Sequence, residues 1–67
     1  MEIIKQKRLM LKLTQKQISD ELGVAQRSYS RYENGEHYPS YGMLIRMSEL
    51  LDIPIESLVR AYARIER

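Results

Sequence analysis

A chain of 67 residues has room for one domain with one small core, and having no cysteine it can carry neither a disulfide framework nor a thiolate metal site. Apolar residues at 43% and charged residues at 30% describe a folded domain rather than a disordered tail, and apolar runs such as Leu9-Met10-Leu11 fall far short of the roughly 20 residues that a bilayer demands. The net charge is only +2, yet Lys5, Lys7, Arg8, Lys12 and Lys16 stand against Glu2 alone in residues 1–16, so positive charge gathers at one end.

The basic residues near the start run into Thr14-Gln15-Lys16-Gln17 rather than an apolar stretch, which excludes a signal-peptide pattern and predicts a cytoplasmic protein. A single domain over 1–67 leaves no lobe for sensing, so no small-molecule ligand, no cofactor and no membrane association is expected. A domain this small, without staples, also favours oligomerisation as a source of stability.

Helical spacing repeats along the chain with short breaks, no strand-like alternation of any length appears, and the prolines and glycines fall at the breaks. The first helix is predicted over Glu2 to Leu11, with Ile4 and Leu11 on one face and Arg8 between them, pointing partly inward. Lys12 follows it, so a non-glycine residue is asked to close that helix.

The second helix has the clearest start. Thr14 as N-cap and Gln17 three residues on form a capping box, Leu13 and Ile18 are placed as a hydrophobic staple, and Gly23 ends the helix. Ile18 and Leu22 face inward, and at about two turns this helix is too short to persist alone.

After the turn Gly23-Val24-Ala25, a third helix is predicted from Gln26 to Glu33, stopped by Asn34-Gly35. Ala25 cannot supply a side-chain cap, so a donor should be left open there. Tyr29 and Tyr32 form its apolar edge, while Gln26, Arg27, Ser28, Ser30 and Arg31 present hydrogen-bond donors on the other.

Pro39-Ser40 announces a fourth helix over Tyr41 to Leu51, with Tyr41, Leu44, Met47, Ser48 and Leu51 on one stripe. Asp52 to Pro54 breaks it, and a fifth helix is predicted from Ile55 to Arg64 or beyond, with Ile55, Leu58, Val59, Tyr62 and Ile65 on its apolar side. Because that stripe extends past the point where a small core should be full, Tyr62, Ile65 and Leu58 are the expected dimer interface, the competing assignment being a cap on the core over the first helix.

Two short helices joined by a tight glycine turn, the second with an arginine-bearing polar face, make a helix-turn-helix signature. The first of the pair braces the second, whose outer face is then free to enter a major groove about 12 Å wide. Arg27 and Arg31 lie four residues apart and can meet bases of one half-site, arginine being suited to guanine and Gln26 to adenine.

Residues 4 to 59 resemble the phage Cro and repressor type of helix-turn-helix domain, through Leu13-Thr14-Gln15, Leu22-Gly23-Val24, Glu33-Asn34-Gly35, Pro39-Ser40 and Ile53-Pro54-Ile55. The resemblance implies an all-α, compact five-helix bundle of the lambda-repressor-like type and a transcriptional regulator, most simply a repressor, that binds a palindromic operator in double-stranded DNA as a homodimer. It implies base contacts by Gln26, Arg27 and Arg31 and phosphate or bridging contacts by Gln15 and Asn34; beside these, Ser28 is expected at the base edges and Lys16 and Arg8 at phosphates. It also implies an ion pair between Arg8 and Glu33. The loop Glu36-His37-Tyr38 departs from the pattern in lacking basic residues for the phosphate backbone.

One histidine, His37, in a loop offers no second ligand for a metal and no base-and-acid pair for a nucleophile, so neither a metal site nor an enzyme is expected. The rival class is a protein-binding module on the same fold, such as a toxin-neutralising antitoxin, which would bind a protein tightly through the fifth helix and DNA weakly.

Overall fold

Local signals set the helix boundaries. A computed structural model describes residues 1–64 and shows α1 (Glu2–Met10), α2 (Gln15–Leu22), α3 (Gln26–Asn34), α4 (Tyr41–Leu51) and α5 (Ile55–Ala63), with no strand among the described residues. At α2 the capping box is complete: Thr14 Oγ1 accepts from the Gln17 N–H at 3.0 Å, and Gln17 Oε1 accepts from the Thr14 N–H at 2.8 Å. Ser40 caps α4 by accepting from the Met43 N–H at 3.1 Å. Ala25 leaves α3 without a side-chain cap, as its side chain requires.

The helices α1 to α4 end in the same way. Gly23 and Gly35 take left-handed φ of 74° and 77°, and the residues after them turn back to pair with the last helical carbonyls, Val24 N–H to Ser19 O at 3.0 Å and Glu36 N–H to Arg31 O at 2.8 Å. Lys12 makes the same turn after α1 at φ 60°, with Leu13 N–H donating to Arg8 O at 3.1 Å. A side chain with a Cβ is strained in this region, and Asp52, at φ 56°, closes α4 under the same strain.

The core is one cluster to which every helix contributes: Ile4, Ile18, Leu22, Tyr29, Met47, Leu51, Leu58 and Tyr62, with Ile53 from the α4–α5 turn. α2 packs against α3 and α4, α1 against α3 and α4, and α5 against α4. The turn between α4 and α5 is pinned by Ser48 Oγ, which donates to Ile53 O at 2.6 Å.

Two expectations are corrected. Leu58 and Tyr62, expected at a dimer surface, are 0% and 5% exposed and belong to the chain's own core. The reason is that Tyr62 lies one helical turn after Leu58 on the inward line of α5, where its hydroxyl donates to Tyr32 O at 2.7 Å. Ile65, the third residue of that expected surface, lies outside the described residues. Conversely, Tyr41 and Val59, expected on inward stripes, are 68% and 43% exposed.

Candidate nucleic-acid interface

The third helix is anchored along one side and open along the other. Tyr29 and Glu33, four residues apart, are its buried positions. At 100° per residue the opposite line is Arg27, Arg31 and Asn34, and all three are exposed; Gln26 is exposed as well, at the open first turn of α3, but on the side of Tyr29 and Glu33. Ser28 and Ser30 are half-buried on the flanks. Neither Arg27 nor Arg31 is in an ion pair among the described residues, so both guanidinium groups keep their donors for a partner.

Behind this face stands a buried carboxylate with four donors. Glu33 accepts from Arg8 Nε at 2.7 Å and Arg8 Nη2 at 3.1 Å, from Gln15 Nε2 at 2.9 Å and from the Tyr29 hydroxyl at 2.9 Å. Arg8 and Glu33 are 8% and 3% exposed, so the pair sits in the interior, and its cost of desolvation is offset only because every lone pair has a partner. No buried side-chain nitrogen or oxygen is left without a hydrogen bond among the described residues.

The titration of these groups follows from that geometry. Burial pushes the Glu33 carboxyl upward, but hydrogen bonds from Arg8, Gln15 and Tyr29, with the charge of Arg8, outweigh it and hold the group below its ordinary value. The Arg8 guanidinium is raised, first by its hydrogen bonds to Glu33 and against the effect of burial. Burial, followed by the hydrogen bond to ionised Glu33, pushes the Tyr29 phenol far up.

The same network corrects one expected phosphate contact. Arg8 Nη1 donates to Leu13 O at 2.9 Å while Nε and Nη2 hold Glu33, so the guanidinium is committed inward and Arg8 acts as a brace between α1 and α3. Gln15 is tied to the network through its amide nitrogen, because an ionised carboxylate can only accept, and it keeps a second N–H and its carbonyl oxygen for another partner.

A short helix braced from behind, with a donor-bearing outer line and a glycine turn before it, agrees with the comparison to known sequences: residues 4–58 match the helix-turn-helix family. The chain belongs to that family. The five helices of the described residues form the all-α, lambda-repressor-like fold, with α2 and α3 as the helix-turn-helix. Two relatives are similar to it: the uncharacterized HTH-type transcriptional regulator YqaE of Bacillus subtilis (strain 168), 37% identical over 59 residues, covering 88% of this chain and 51% of that protein, and the cryptic phage CTXphi transcriptional repressor RstR of Vibrio cholerae serotype O1, 34% identical over 65 residues, covering 97% and 58%. The chain thus spans little more than half the length of these relatives. No solved structure matches it closely enough to be compared.

The helix-turn-helix has a further support with no local sequence signal. Arg46, on α4, reaches the end of α2 and donates from Nη1 to Leu22 O at 3.3 Å and from Nη2 to Glu21 O at 2.6 Å. These carbonyls lie at the negative end of the helix, where a cation is favoured, and they directly precede the turn that aims α3. At the other end of α2, Lys16 lies 3.5 Å from Asp20 in an exposed pair of little energetic weight.

The remaining candidates are quiet. His37 is exposed and meets Tyr32 edge-on at 5.8 Å, and no group of residues suited to holding a metal occurs among the described residues. No helix among them is long and apolar enough to cross a membrane.

Proposed function

We propose that this helix-turn-helix chain is a sequence-specific DNA-binding transcriptional regulator, most simply a repressor, that seats α3 in the major groove and binds a palindromic operator as a dimer. The observation that carries this reading is the outward line of Arg27, Arg31 and Asn34 on a helix fixed from behind through Glu33. A helix held this way brings its side chains to the base edges with the backbone already ordered, so that only the side chains' own freedom remains to be lost on binding.

Arg27 and Arg31 are assigned to guanine O6 and N7, each good bidentate pair contributing about 1–3 kcal/mol of discrimination. Gln26 is assigned to a neighbouring base and Ser28 to the edge of the same contact. Gln15, Lys16 and Asn34 are assigned to phosphates, where they set register rather than sequence. The relatives' names, a transcriptional regulator and a phage repressor, support the same reading. Such a protein works in the cytoplasm beside its DNA.

Selection of duplexes from a randomised pool tests it. The expected product is an enriched sequence with two-fold symmetry whose half-site centres lie about 34–36 Å apart, one turn of DNA. Failure to enrich any sequence would overturn the assignment.

A further inference from the structure

The first turn of α1 and one flank of α5 border an open cleft of ≈ 270 Å³, lined by Ile3 from α1 and by Ser57, Arg60, Ala61 and Arg64 from α5. Ile3 and Ala61 supply its apolar surface and the two arginines its charge. Lys7 stands one helical turn after Ile3 on the same line of α1, and Met10, 72% exposed, continues that line beyond it. At this volume the cleft is below the roughly 300 Å³ at which small-molecule sites begin, so it suits one inserted side chain rather than a metabolite.

The charges around the cleft select its occupant. Arg60, Arg64 and Lys7 form no ion pair among the described residues, so their charge is left for a partner. The acids beside them in sequence, Glu2 and Glu56, lie about 100° round α1 from Ile3 and about 140° round α5 from Ala61, and neither lines the cleft. An apolar wall with a rim of one sign is complementary to a segment that sets an apolar side chain beside carboxylates, which arginine holds by paired hydrogen bonds. A DNA backbone offers charge but nothing apolar, and it is drawn elsewhere: Ile3 lies about 140° round α1 from Arg8, the residue that faces α3. A flat bilayer would meet the exposed arginines but not the half-buried Ala61.

We propose that the cleft between α1 and α5 docks an acidic amphipathic segment of a second protein, one apolar side chain entering against Ile3 and Ala61 while flanking carboxylates pair with Arg60, Arg64 and Lys7. This goes beyond the DNA-binding reading and does not depend on it. A protein held there leaves the outward line of α3 open, so the chain can carry the partner and a duplex together.

The test is selection of short peptides from a randomised display library on the parent chain, followed by titration of the enriched peptides against the parent, Arg60→Glu and Ile3→Asp, with helical content checked by circular dichroism. Arg60 and Ile3 are exposed, and an acid is favoured in the first turn of a helix, so both variants should fold. The enriched peptides should place Leu, Ile or Phe beside Asp or Glu. Each substitution should weaken their binding by about tenfold or more, while affinity for the selected duplex stays that of the parent. Failure to enrich any peptide overturns the proposal, as do enriched peptides without an acidic bias or parent-like peptide binding by both variants. Loss of duplex binding in Arg60→Glu would assign the arginine to DNA instead, and binding of the parent to vesicles of anionic phospholipid that Arg60→Glu abolishes would assign it to a membrane; either result overturns the proposal. A parent chain that binds peptides as expected but no duplex specifically would sink only the DNA-binding reading.

Discussion

The Arg8 guanidinium holds the Glu33 carboxylate by two nitrogens, at 2.7 and 3.1 Å, and so ties the first helix of the chain to the last turn of α3. Because the pair is buried and Glu33 also receives Gln15 and Tyr29, loss of either charge strands the other. Arg8→Ala and Glu33→Ala should each cost about 3 kcal/mol or more, measured by urea unfolding. A cost below about 1 kcal/mol, the range of an exposed pair, would contradict the buried network.

The carboxylate makes stability depend on acid. Since Glu33 is held below its unfolded value, it binds fewer protons folded than unfolded as pH falls. Its contribution is therefore fully present above the unfolded value of about 4.3 and is lost as pH drops through the lower, folded value. Urea midpoints should fall over that range for the parent chain and fall less for Glu33→Gln, whose side chain does not titrate. Parallel pH profiles for the two would contradict this.

Two backbone positions carry strain or an open donor that a substitution can relieve. Lys12 sits at φ 60°, and Lys12→Gly should stabilise the chain by up to about 1 kcal/mol, the relief of left-handed strain being partly offset by the freer unfolded state. Ala25→Ser should add about 1 kcal/mol by capping α3. Thermal melts at neutral pH check both, and a lowered midpoint in either contradicts the stated cause.

Arg46 links the brace to the turn. Arg46→Ala removes two hydrogen bonds to the end of α2 and should cost about 1–3 kcal/mol, with weakened DNA binding because the turn into α3 loses its tie. Arg46→Lys should recover only part of the loss, since a compact ammonium lacks the fork that spans two carbonyls. Full recovery by lysine would show that charge alone matters there.

Features settled by neighbours in the chain were legible in the sequence. The capping box of Thr14 and Gln17, the stops at Gly23 and Gly35 and the unaided start at Ala25 are all local, and each lies where its spacing predicted. The pairing of Arg8 with Glu33 came through family resemblance, because a charged residue at an inward helical position gives no hydropathy signal. The addition of Gln15 and Tyr29 to that pair was not anticipated, although Tyr29 and Glu33 are one turn apart on α3 and a buried carboxylate needs more donors than one arginine supplies.

What depends on distant packing was not legible. Arg46 meets residues 24 and 25 positions away, and no periodicity encodes that contact. The apolar stripe of α5 was visible, but which of its residues fill the core depends on how α4 and the Tyr38 loop close over it. Tyr62 is sealed by Tyr32 O and the Tyr38 ring, leaving Val59 outside.

The central claim is that the outward line of α3 reads bases, and it is tested by the ratio of affinities for the selected duplex and a scrambled duplex, measured at one salt concentration for the parent chain, Arg27→Ala and Arg31→Ala. Each substitution should cut that ratio by roughly 5- to 150-fold, the equivalent of about 1–3 kcal/mol, while binding to the scrambled duplex changes far less. A ratio unchanged in both variants, with the fold intact, would show that sequence is read elsewhere on the molecule.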